Sequence, residues 1–79
     1  MRHTLTIPKL GDSVSEVVIL EWHVAVGDTV GVGDPLVSVE TDKIDADVPS
    51  TVAGTVVELL VEPTDEVATG APFVVVDES

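Results

Sequence analysis

Apolar and polar residues alternate with a period of two along most of this chain. Val37 and Val39 alternate with Ser38 and Glu40, and a few residues on Ile44, Ala46 and Val48 alternate with Asp45 and Asp47. Such alternation is the mark of strands with one face buried. Asp42-Lys43 is the polar break between the two arms, where the chain reverses. Neither residue favours positive φ, so a type I turn suits the dipeptide better than a mirror-image turn. Lys43 is expected at the tip of this hairpin, with Ile44, Ala46 and Val48 turned inward and Asp45 and Asp47 outward.

The same reading places strands elsewhere. Met1 to Thr4 is a lead-in and residues 5–8 a first strand, followed by a loop over residues 9–13 in which Gly11 can adopt positive φ. Glu16 to Val24 is the second, with Val18, Leu20, Trp22 and Val24 on one face and Val17 and Ile19 on the other. Val30 and Val32 make a brief strand after the Gly27-Asp28 turn, and Gly33-Asp34-Pro35 turns the chain into residues 36–40. Pro49-Ser50 ends the second hairpin arm. Strands over residues 54–61 and 73–77 follow, separated by turns at residues 63–65 and 70–72. No stretch holds apolar residues at helical spacing for long enough to predict a helix, so the chain reads as all-β.

The chain also repeats itself. A shift of 37 positions superposes Ser13 on Ser50, Glu21 on Glu58, Val24 on Val61, Asp28 on Asp65, Val30 on Val67, Gly33 on Gly70, Pro35 on Pro72, Val37 on Val74 and Val39 on Val76. Two copies of one strand-and-turn unit predict two similar four-stranded antiparallel sheets related by an approximate two-fold axis, closed into a flattened barrel or sandwich. The shift aligns Lys43 with Thr6 and with the position just past Ser79, so the termini are expected to meet at the end opposite the hairpin.

Composition narrows the function. Seventy-nine residues, eighteen of them valine, make one domain over residues 1–79. A chain this short buries only roughly 60–65% of its unfolded surface, which leaves little room for a deep substrate cleft. The absence of cysteine excludes disulfides, thiol catalysis and zinc-thiolate sites. No apolar run is long enough for a membrane-spanning helix or a signal peptide. Fifteen acids against Arg2, Lys9 and Lys43 give a net charge of −12. That argues against nucleic acid or an anionic membrane as partner and favours basic protein surfaces.

Few residues carry candidate chemistry. Glu40, Asp42, Asp45 and Asp47 surround Lys43 and favour its protonated amine. They lack the spacing and central glycine of a calcium loop. His3 and His23 are too sparsely accompanied for a zinc site or a triad, no serine stands in a nucleophile context, and no glycine-rich phosphate loop is present. Lys9 reads as a surface lysine, Trp22 as core and His23 as a rim residue. The chain is expected to be non-catalytic.

Glu40-Thr41-Asp42-Lys43-Ile44 is preceded by Gly33-Asp34-Pro35-Leu36 and followed, eleven residues after the lysine, by Gly54. Together with Ile7-Pro8-Lys9-Leu10-Gly11, Trp22-x-Val24-x-x-Gly27-Asp28 and Pro49-x-x-x-x-Gly54, this closely resembles the lipoyl domain of the acyltransferase (E2) components of 2-oxo acid dehydrogenase complexes. The resemblance covers essentially the whole chain. It implies a flattened barrel whose Lys43 is amidated by lipoate through a lipoate–protein ligase or lipoyl transferase. It further implies that a thiamin diphosphate-dependent dehydrogenase (E1) reductively acylates the group, the E2 catalytic core passes the acyl to coenzyme A, and the flavoprotein dihydrolipoamide dehydrogenase (E3) reoxidises the dithiol. Glu40, Asp42 and Ile44 are implied to present the lysine, and Gly11, Asp12 and Ser13 to lie beside the tip where E1 is recognised.

Three other readings share the barrel. Biotinyl carriers flank their lysine with methionines, where Asp42 and Ile44 stand here. Unmodified barrels used in export assemblies lack the lysine. The glycine-cleavage carrier is longer and has extra helices. The chain has no Ala/Pro-rich linker, partner-binding helical domain or His-x-x-x-Asp-Gly segment, and is expected to be an excised domain or a free-standing carrier, monomeric in isolation. Its composition hints at a bacterial, cytoplasmic protein; a eukaryotic counterpart would sit in the mitochondrial matrix.

Overall fold

A computed structural model describes residues 1–9, 15–42 and 44–78. Among them the alternating segments form strands β1 (Arg2–Thr6), β2 (Glu16–Trp22), β3 (Thr29–Val30), β4 (Pro35–Glu40), β5 (Asp45–Pro49), β6 (Gly54–Leu59), β7 (Glu66–Ala68) and β8 (Pro72–Asp77). One sheet has the order β1-β8-β6-β3 and the other β5-β4-β2-β7, with antiparallel neighbours throughout. The all-β, two-sheet expectation holds. The inner faces meet in a core of Val17, Ile19, Leu36, Val37, Val39 and Val48 against Val56, Phe73, Val74 and Val76. β-Branched valine suits such a surface because its restricted χ1 costs little in an extended chain. Trp22 packs at the edge of this core, stacked on Phe73 with ring centroids 6.0 Å apart. Its indole N–H donates to the Val61 carbonyl at 3.1 Å.

The internal repeat is a real two-fold relation. It superposes β2, β3 and β4 on β6, β7 and β8, and it extends to single hydrogen bonds. The Gly27 amide donates to Val56 O and the Thr64 amide to Ile19 O, each at 2.7 Å. The Asp28 carboxylate accepts from the Ala25 amide and the Asp65 carboxylate from the Glu62 amide, each at 2.9 Å. The Gly33 amide donates to Ser50 O and the Gly70 amide to Ile7 O, each at 2.8 Å. The alignment of Lys43 with Thr6 does not survive, because β1 pairs with β8 as β5 pairs with β4. The matched bonds at Ser50 and Ile7 show the offset there to be larger than 37.

Four β-bulges, also in symmetric pairs, change which residues point inward. Leu20 is an extra residue opposite β4, and Val57 is its counterpart opposite β8. The phase of β2 therefore flips at Leu20. Val17 and Ile19 are buried, Leu20 is exposed and Trp22 turns back toward the core. This replaces the expected face of Val18, Leu20, Trp22 and Val24. Leu36 and Phe73 are the extra residues of the second pair, which is why Leu36-Val37 and Phe73-Val74 are both buried although adjacent in sequence.

Strand limits also moved. β1 begins at Arg2 because Arg2 to Leu5 continue the ladder with β8, whereas Ile7 leaves it and bonds to Ala71 O in the turn before β8. Val32 belongs to the turn before β4 and is 71% exposed. Strands β2 and β6 end at Trp22 and Leu59, short of Val24 and Val61, where the chain leaves its sheet. The short strand β7, although unexpected from local alternation, lies where the repeat places the counterpart of β3, and it pairs with β2 as β3 pairs with β6.

The chain ends meet as expected. The Met1 ammonium lies 3.2 Å from Asp77 Oδ1, and the Glu78 amide donates to Met1 O at 2.7 Å. Thr55 and Gly54, beside Asp77, pair with β3, and the turn over residues 31–34 carries the chain from there into the start of β4. Strand β4 thus runs away from the termini, and the β4–β5 connection lies at the far end.

Two positions yield predictions. A Cβ on Gly54 would stand 2.2 Å from the Asp77 carbonyl oxygen, a backbone clash that accounts for glycine at this place in the motif. Gly54→Ala is expected to cost about 1–3 kcal/mol, seen as an earlier urea midpoint with unchanged slope; a wild-type midpoint would mean that β8 gives way freely. Thr64 occupies the place of Gly27 in the repeat and has φ of 75°, against 98° for Gly27. Strain at a β-branched residue there costs about 1–3 kcal/mol, while glycine's extra chain entropy costs about 0.5–1 kcal/mol. Thr64→Gly is therefore expected to raise the melting temperature, and a lower one would refute the strain.

Candidate functional site

The hairpin of β4 and β5 pairs Val37 with Val48, Ser38 with Asp47, Val39 with Ala46 and Glu40 with Asp45. Beyond the last pair, Thr41 and Ile44 close the connection. The Thr41 amide donates to Ile44 O at 2.8 Å. The Thr41 hydroxyl donates to the same carbonyl at 2.9 Å and accepts from the Ile44 amide at 3.0 Å. Only Asp42 and Lys43 lie between them in the chain. Lys43 itself falls outside the described residues, as do Gly11, Asp12 and Ser13. Asp42 is exposed and has negative φ, as a type I turn requires of its first central residue.

Burial falls off along the second arm. Val48 is buried, Ala46 half-buried and Ile44 half-exposed at 50%. Ile44, on the apolar side of the alternation, is thus half-exposed beside the connection rather than turned into the core. Asp45 and Asp47 face solvent as expected. Thr41, which the sequence reading passed over, is only 9% exposed. The signal available was a threonine placed three residues before the end of a tight connection, where its hydroxyl can bond the backbone.

Of the expected recognition residues, Glu40, Asp42 and Ile44 stand together at this end. A shallow depression of about 360 Å³ joins Glu40, Thr41 and Asp42 to Ser15, Glu16, Val17 and Val18 of the neighbouring β2 edge and to Glu66 of β7. Glu16 and Glu66 face each other there. The Glu66 carboxylate, as hydrogen-bond partner and then as like charge, raises the Glu16 carboxyl above its ordinary value. The surface beside the tip is accordingly acidic.

On the outer face of the same sheet, tertiary structure brings together three residues that looked unrelated. His23 Nε2 is 2.7 Å from Ser38 Oγ, and the Ser38 hydroxyl donates to Asp47 Oδ1 at 2.6 Å. The serine proton is thus committed to the carboxylate, and the histidine can only donate to the serine oxygen. In a nucleophilic triad the histidine takes the serine proton and the acid holds the other ring nitrogen. The arrangement instead ties β2, β4 and β5 together. The Ser38 bond holds the Asp47 carboxyl below its ordinary value, with His23 adding to the effect. Among the described residues no group of three or more His, Asp or Glu is placed to hold a metal ion.

The described part of the site is therefore a connection braced by Thr41 and Ile44, with Asp42 exposed between them. Residues 3–76 match the family described as biotin-requiring enzyme. The chain is 54% identical over 65 residues to the dihydrolipoyllysine-residue acetyltransferase component of the pyruvate dehydrogenase complex of Corynebacterium glutamicum, covering 82% of this chain and 10% of that protein. It is 50% identical over 58 residues to the lipoamide acyltransferase component of the branched-chain alpha-keto acid dehydrogenase complex of Bacillus subtilis, covering 73% of this chain and 14% of that one. The chain thus spans about a tenth to a seventh of the length of these relatives. The fold is shared with the lipoyl domain of the 2-oxoglutarate dehydrogenase complex from Azotobacter vinelandii, with a TM-score of 0.75, 24% identity and 95% of each chain covered. With the hairpin lysine, the two-sheet fold and these similarities together, the chain belongs to the biotin-requiring enzyme family, as a lipoyl-type domain akin to those of 2-oxo acid dehydrogenase acyltransferases.

Proposed function

We propose that this chain is a swinging-arm carrier whose Lys43 is amidated by lipoate. The observation that carries the reading is the closure of the hairpin by Thr41 and Ile44, which leaves Asp42-Lys43 as a two-residue tip at the end far from the chain termini. When attached, the lipoyl group supplies a disulfide that can take up an acyl group and two electrons. The chain's own residues present and anchor it. Nζ of Lys43 loses a proton to base and forms the amide bond with an activated lipoyl carboxyl as the activating group departs. The acids that flank Lys43 in the sequence favour the ammonium, so the modifying enzyme must bind this segment in a way that lets the amine deprotonate. Glu40, Asp42 and Ile44 are its contacts at the tip, and Gly11, Asp12 and Ser13 are read by the thiamin-dependent E1. The ligase, E1, the E2 core and E3 are the partners, and the net charge of −12 steers the domain toward basic surfaces on them.

Intact mass with peptide mapping, on protein from lipoate-fed cells, tests this directly. One lipoyl amide on Lys43 is expected. A biotinyl amide would reassign the domain to carboxylase chemistry, and an unmodified chain beside a modified control domain would remove the carrier reading. Lys43→Gln is expected to abolish modification and leave cooperative unfolding unchanged within about 0.5 kcal/mol. Replacing residues 11–13 with those of another lipoyl domain is expected to slow reductive acylation by the cognate E1, whereas equal rates would show that E1 reads another part of the surface.

A further inference from the structure

The hairpin tip lacks two usual sources of order. Two-residue hairpin connections favour Asn-Gly or Asp-Gly, whose positive φ matches the twist of the strands, whereas a type I turn splays them. Asp42-Lys43 offers no glycine, and Asp42 has negative φ. The pair directly beneath, Glu40 and Asp45, sets two acids opposite each other, which loosens rather than tightens the strand ends. Yet three hydrogen bonds join Thr41 to Ile44. Two of them pass through the Thr41 hydroxyl, which donates to the Ile44 carbonyl and accepts from the Ile44 amide. Thr41 is 9% exposed, so water competes poorly for these bonds, and its β-branch restricts the rotamer that makes them.

We infer that Thr41 is a positioning residue for modification: its hydroxyl ties Thr41 to Ile44, the residues on either side of Asp42-Lys43 in the chain, and so fixes the backbone that the modifying enzyme must engage. The inference rests on the carrier reading above. Aspartate and isoleucine at the tip then serve as contacts for the enzyme, while the fixed geometry comes from Thr41. Attack of an amine on an acyl carbon depends steeply on placement, and losing such placement costs on the order of 100-fold for an ångström of displacement.

The test compares wild type, Thr41→Val, Thr41→Ala and Thr41→Ser as substrates of a lipoate–protein ligase. Lipoyl amide formation is followed by mass spectrometry over a range of domain concentrations, with hydrogen exchange of the Ile44 amide and the melting temperature measured alongside. Thr41→Val keeps the side-chain shape without the hydroxyl, and Thr41→Ala is the second variant without it. Both are expected to lower kcat about 10- to 100-fold and to speed exchange at Ile44 while exchange in the β2–β4 ladder stays slow. Thr41→Ser is expected to restore most of the rate. Unchanged kcat in Thr41→Val or Thr41→Ala with faster Ile44 exchange would overturn the inference and leave the carrier reading standing. A rate loss that Thr41→Ser fails to recover would also overturn it. Failure of wild type itself to be modified would instead remove the carrier reading, and this inference with it.

Discussion

The structure depends on the chain changing sheets at nearly every turn. β1 to β2, β2 to β3, β3 to β4, β5 to β6, β6 to β7 and β7 to β8 all pass from one sheet to the other, and only β4 to β5 stays within one. The crossings after β2 and β6 are sealed by paired backbone bonds to the far sheet: Gly27 and Asp28 with Val56, and Thr64 and Asp65 with Ile19. Each seal engages a strand just before its bulge, where the pleat is already turned. A sandwich laced in this way cannot open along one edge without breaking backbone bonds on both sides.

That lacing explains why one hairpin projects. Its two-fold counterpart is the junction of β8 with β1, where the chain has its ends and the Met1 ammonium meets Asp77. The symmetric fold therefore has two equivalent tips, one continuous and one cut. The continuous tip carries the lysine. A domain joined to other parts through its ends would hold the cut tip toward them and the lysine away, the arrangement a carrier needs.

Charge and packing divide the work at the tip. Of the acids near the connection, Glu40 and Asp45 oppose each other across the hairpin, whereas Asp47 takes part in the bridge through Ser38. Order comes from hydroxyl hydrogen bonds, with Thr41 beside the connection and Ser38 lower down, where His23 and the Asp47 carboxylate complete a bridge across three strands. The two hydroxyls thus supply fixed geometry within a segment whose net charge is acidic.

The fold class, the repeat, the hairpin and the meeting of the termini were legible in the sequence, because each follows from period-two alternation, turn residues or a fixed offset within the chain. The inward face of β2, the exposure of Ile44 and the clamp by Thr41 were not. A bulge at Leu20 reverses the pleat only because β4 lies opposite it, and alternation alone does not distinguish the half-exposed Ile44 from the buried Val48 on the same arm. Strand β7 was recoverable from the repeat but not from its own three residues. His23, Ser38 and Asp47 carry no shared motif and meet only through register across three strands. Local periodicity by itself determined that this chain makes two similar β-sheets with one lysine at a turn. Which side chains brace that turn was decided by strand register and sheet crossing, which act between residues that sequence spacing does not relate.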